Sequence, residues 1–129
     1  MSIEEALVAH CTNHPELAAL IGDRFEPQPK SLFSELPAIT FGRAGVRPTQ
    51  HRSSRRAHHA RTRFQFDLWG DTPLQVIGLV DVFKDAMADF SQSSNPRVDV
   101  SLLQDDRDAY EAEVGKWRRI LDYHIWHTE

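Results

Sequence analysis

The stretch from Arg61 to Phe90 constrains the fold of this chain more than any other. In Thr62-Arg63-Phe64-Gln65-Phe66-Asp67-Leu68-Trp69, apolar and polar residues alternate, which is the period of a half-buried β-strand. Phe64, Phe66 and Leu68 are expected to face a core, with Thr62 at its margin. Arg63, Gln65, Asp67 and Trp69 are expected on the opposite face. Gly70-Asp71-Thr72-Pro73 breaks the strand. Thr72 is placed to cap a helix, Pro73 suits the first helical position, and Gln75 has capping-box spacing. Val76, Ile77, Val80, Phe83, Met87 and Phe90 then recur at helical spacing and predict a helix lying across the sheet.

The remaining elements are arranged around this unit. Ser2 to Cys11 reads as a helix with a Ser2/Glu5 capping box, and Pro15 to Ile21 as a short second one stopped by Gly22. Arg24 to Glu26 fits a short edge strand ended by Pro27 and Pro29. Leu36 to Gly42 is the next strand. Residues 43–60 lack apolar periodicity and read as a long basic loop, whose flanks at Arg43 and Arg61–Arg63 extend the strands into a protruding hairpin. Beyond a loop at 91–96, residues 97–104 read as a strand with Val98, Val100 and Leu102 alternating. Asp105 to Gly115 reads as an acidic hairpin connection, and Trp117 to Trp126 as a last strand apolar on both faces. The order predicts an α+β fold: one domain over 1–129, with a mostly antiparallel sheet of four or five strands and helices packed on one face.

Charge is unevenly spread. Between Gly42 and Phe66 lie seven arginines (Arg43, Arg47, Arg52, Arg55, Arg56, Arg61 and Arg63) and no acid. Seven of the 15 Lys and Arg residues are thus in one segment, which leaves eight against 19 acids elsewhere. A strongly positive segment on a negative body favours contact with something acidic. Three readings stay open: a solvated loop, phosphate contact, or contact with the acidic surface of a neighbouring copy. The third weighs most, because the planar guanidinium pairs bidentately with carboxylates. Base stacking has no support, since no aromatic residue lies between Phe41 and Phe64.

Catalytic and metal-binding patterns are weak. His10 and His14 have i, i+4 spacing, but Asn13-His14-Pro15 turns them off one helical face and no third ligand follows. Asp105, Asp106 and Asp108 resemble the start of a calcium loop, without the glycine and glutamate at the required offsets. They read instead as a solvated hairpin tip or an acidic contact for another subunit. No nucleophile elbow or phosphate loop occurs. No catalytic residue, cofactor or metal is expected. The lone Cys11 fits a reducing compartment, the acidic start Met1-Ser2-Ile3-Glu4-Glu5 does not read as a secretory signal, and no apolar run approaches the ~18–20 residues of a membrane span.

The joint order of Ser2-Ile3-Glu4-Glu5-Ala6-Leu7, His14 to Arg24, Leu36 to Phe41, Arg63 to Trp69 with its helix, Asp106 to Glu111, and Tyr123-His124-Ile125-Trp126 resembles the bacteriophage tail completion or tail terminator (head–tail joining) proteins. The resemblance implies a small α+β subunit forming a ring, usually a hexamer, at the head-proximal end of a tail. It implies the tail tube protein and the head connector or stopper as partners, and DNA passing through the channel without sequence specificity. It also implies a place in the virion at the tail–head junction, reached from the bacterial cytoplasm, and occurrence in phages, prophages and gene transfer agents. No catalytic residue is carried over. A nucleic-acid-binding module using the Arg-rich loop is the alternative.

Overall fold

The structure, a computed structural model, describes residues 2–27, 36–49, 59–94, 96–112 and 115–128, with the backbone alone for 45–49 and 59. The element order is α1 (Ile3–Asn13), α2 (Pro15–Ile21), β1 (Phe25–Pro27), β2 (Ala38–Thr49), β3 (His59–Gly70), α3 (Pro73–Ala88), β4 (Val98–Glu111) and β5 (Lys116–Thr128). The five strands form one sheet in the order β1-β2-β3-β5-β4. Among the described residues, only the β1–β2 pair is parallel. The α+β class and the largely antiparallel sheet are as the sequence predicts.

Local signals set the helix starts. Ser2 and Glu5 exchange both capping-box bonds at α1. At α3 the Thr72 hydroxyl accepts from the Gln75 N–H at 3.2 Å, while Gln75 Oε1 reaches past the cap to accept from the Asp71 N–H at 2.7 Å. Gly22 ends α2 with φ +60°, where an L side chain is strained.

The core lies between the helices and one sheet face. Phe64, Phe66 and Leu68 are fully buried, as their alternation requires. The Phe66 ring sits 4.9 Å from Phe83 of α3 and 5.7 Å, edge-on, from Tyr123 of β5. Phe25 and Phe41 stack at 5.0 Å beside them. On α3 the inward stripe is Val76, Leu79, Val80, Phe83 and Met87. Ile77, expected in that stripe, is instead 46% exposed, because one turn of 3.6 residues leaves Leu79 rather than Ile77 between Val76 and Phe83. Thr62 is not marginal but fully buried, with Oγ1 2.7 Å from His127 Nε2.

Three segments differ from the sequence reading. Residues 43–49 and 59–60 are strand rather than loop, because β2 and β3 pair in register from Ala38–Trp69 out to Thr49–His59 across an irregularity between Arg43 and Gly45. The central part of the expected loop, 50–58, lies outside the described residues. Asp105 to Glu111 is likewise strand, held by pairing with β5 from Asp105–Asp122 to Glu111–Lys116. Register shifts in β4 between Val98 and Val100 and between Leu103 and Asp105 split its expected apolar face. Val98 is buried, while Val100 and Leu102 are exposed.

Candidate functional site: a basic hairpin and two charged faces

The two long hairpins point to opposite ends of the sheet. His59 pairs with Thr128 at one end and Gly70 with Trp117 at the other. The basic segment is therefore the extension of β2 and β3 at the first end. Its arginines are not equivalent. Arg43 turns toward the helices, where its guanidinium pairs with Glu4 of α1 and lies 5.8 Å over the Phe64 ring. That interaction helps to hold the Glu4 carboxyl below its ordinary value, against the opposing effect of burial. Arg47 lies directly opposite Arg61 in the β2–β3 register. Like charges at directly opposite register positions are unfavourable in a sheet. Arg61 also lies 5.9 Å over the Trp126 ring. Arg52, Arg55 and Arg56 fall outside the described residues.

The sheet face away from the helices carries an ionic network. Asp122 is only 3% exposed, and its Oδ2 is 3.3 Å from both Arg63 and Arg107. Asp67, 2% exposed, lies 3.6 Å from Arg118, whose guanidinium covers the Trp69 ring at 5.2 Å. The apolar stems of these arginines shield the carboxylates while their heads stay near water. Arg63 thus serves an internal carboxylate as well as presenting charge outward.

The acids of β4 are largely neutralised within the chain. Asp106 meets both Lys84 and Arg119 at 2.8 Å, and Asp108 meets Arg119 at 2.7 Å. Glu111 meets Arg118 at 2.5 Å, Asp105 pairs with Arg107, and Asp71 meets Lys116 at 2.6 Å. The stretch expected to be a solvated acidic tip is therefore a strand whose charges are already matched.

A different acidic surface lies on α3. Asp81, Asp85 and Asp89 follow one another at four-residue intervals from α3 to its C-cap, all exposed and without a cationic partner among the described residues. Carboxylates at i, i+4 repel by about 0.2–0.5 kcal/mol per pair. The last turn of α3 has no basic residue, so Asp85 and Asp89 also oppose the helix dipole. The four-residue spacing was the available signal. Beside Asp89 opens a groove of about 660 Å³ lined by Ala6, His10, His14, Gln92 and Ser93 among others. Both histidines are engaged there. His10 Nε2 is 2.6 Å from the Ala86 carbonyl, and His14 Nδ1 caps α2 by accepting from the Leu17 N–H at 3.3 Å. No group of three metal-ligating side chains occurs among the described residues.

These features define a class first: a small α+β protein whose distinguishing chemistry lies in opposed charged surfaces. The particular family follows from its sequence. The chain belongs to the family Tail completion protein gp17, whose model matches residues 5–128. It is a structural protein of the phage-tail type. Among solved structures, it resembles a chain of the virion of a native gene transfer agent (GTA) particle. The TM-score is 0.79 at 13% identity, over 99% of this chain and 96% of that one. At that identity the likeness shows the fold alone. No sequence among the curated proteins matches it.

Proposed function

We propose that this chain is a non-enzymatic ring subunit at the head-proximal end of a tail. The ring, a hexamer, ends polymerisation of the tail tube and offers a surface to the head connector or stopper. DNA passes through its channel without being read in sequence. Its place is the tail–head junction of a virion or a phage-derived particle, with the bacterial cytoplasm as its site of assembly. The single domain over 1–129 supplies a rigid base, and the basic hairpin is the contact element, through Arg47, Arg52, Arg55, Arg56, Arg61 and Arg63. Arg43 braces that hairpin against α1.

The observation that carries the reading, given the family, is Arg47 opposite Arg61 in a segment of seven arginines without an acid. Such a pair is relieved by an anionic surface outside the hairpin. A ring built from one kind of subunit needs two different lateral surfaces, because head-to-tail contacts are heterologous and must close. The test is deletion of the protein in the producing cell. Tails of uncontrolled length, or tails unattached to heads, are expected by electron microscopy. Normal length together with normal attachment would refute the reading.

A further inference from the structure

We infer that the exposed face of α3 around Asp81, Asp85 and Asp89 is the seat for the basic hairpin, residues 43–63, of the next copy of this chain. The inference rests on the ring reading and names its second lateral surface.

Each of the two surfaces leaves charge unbalanced. In the basic segment, Arg47 and Arg61 are partners in the β2–β3 register and no acid lies between Gly42 and Phe66. On α3, three carboxylates repeat at helical spacing, and the two nearer its C-terminus oppose the helix dipole. Each arrangement costs the isolated subunit stability, and each is relieved by the other. The acids of β4 do not offer this, because Lys84, Arg107, Arg118 and Arg119 already neutralise them. Within one chain, Arg43 is the hairpin arginine seen to reach a helix, and it reaches Glu4 of α1 rather than α3.

The shape of the α3 face agrees. The acidic stripe runs to Asp89, which lines the open groove of about 660 Å³ between α1 and residues 92–94. At its other end, Leu74 is 80% and Ile77 46% exposed, so an apolar margin adjoins the carboxylates. An arginine-rich hairpin suits both parts, since guanidinium groups pair with carboxylates while their stems cover apolar surface. DNA is excluded from this seat by its own charge.

The test uses full-length variants expressed in producing cells that lack the native protein. Asp81→Lys/Asp85→Lys/Asp89→Lys and Arg52→Glu/Arg55→Glu/Arg56→Glu are each expected to lower the yield of head-joined particles about tenfold, the product of three ordinary rim pairs. Combining both sets is expected to restore most of the yield. The replaced α3 residues are exposed, so thermal unfolding of the purified variants should stay close to that of the parent. Wild-type yield from the α3 variant, or a combined variant as defective as its parents, overturns the proposal. So does loss of yield in the arginine variant alone, which assigns the hairpin to DNA or the tail tube. A charge-independent measurement pairs Arg55→Cys with Asp85→Cys in assembled particles. An oxidation-dependent ladder of linked copies is expected, and its absence overturns the seat even where a charge variant fails to fold. Failure of the ring reading looks different: the deletion itself leaves tails normal.

Discussion

At the scale of single residues, close approach and charge matching dominate. Gly70 ends β3 beside the first turn of α3. A Cβ there would lie 2.6 Å from Val76 Cγ2 and 3.3 Å from the Val76 backbone nitrogen. Neither neighbour gives easily, because Val76 is buried and its N–H bonds the Thr72 carbonyl at 3.2 Å. Gly70→Ala is therefore expected to destabilise the fold by about 1–3 kcal/mol, read as a lower denaturant midpoint. Cys11 shows the opposite economy. It packs as an apolar side chain at 0% exposure, and burial pushes its thiol up to about 12. Modification by a thiol reagent is expected only as the chain unfolds, so the labelling rate should follow denaturant concentration.

At the scale of elements, long-range pairing extends what local signals begin. Asp106 of β4 ties that strand to Lys84 on α3 and Arg119 on β5. Burial alone would raise its carboxyl, but the two cations hold it below its ordinary value of 3.8. A depressed folded-state value means stability that is fully present above pH 3.8 and lost as pH falls through the lower value. Asp106→Asn is thus expected to be less stable than the parent at neutral pH, by roughly 0.2–1 kcal/mol for such a partly buried surface group. The gap should close in urea titrations as pH falls below 3.8 and through the depressed value. The sequence carried β3 and α3 almost entirely, because alternation, Thr72, Pro73 and the capping residues act within a few positions. It carried α1 for the same reason. The outer halves of β2 and β4 were not legible. Residues 43–49 and 105–111 lack apolar alternation, and their strand character comes from pairing with β3 and β5. The hairpin arginines were legible as a run of charge. The matching of the β4 acids and the unmatched α3 stripe depended on where Lys84, Arg107, Arg118 and Arg119 fold to.

At the scale of the whole molecule, the question is how one subunit meets the next. Strand addition at the sheet edges is poorly served. β4 breaks register twice, and β2 is irregular after Arg43 and carries Pro48, which has no N–H to donate. The proposed contacts then run through faces, where charge decides register. Exposed charge pairs between subunits respond to salt, since the screening length falls from ~8 Å at 0.15 M to ~3 Å at 1 M. The fold itself depends on a phenylalanine-rich core and shielded carboxylates such as Asp67 and Asp122, which salt affects far less. Raising salt across that range is expected to release heads from tails, counted by electron microscopy, while the melting temperature of the free subunit shifts only slightly. The same assay separates the two acidic partners open to the hairpin. If the arginines hold a neighbouring copy, particles emptied of DNA by nuclease keep the junction and the same salt midpoint. If they hold DNA, the emptied particles lose both.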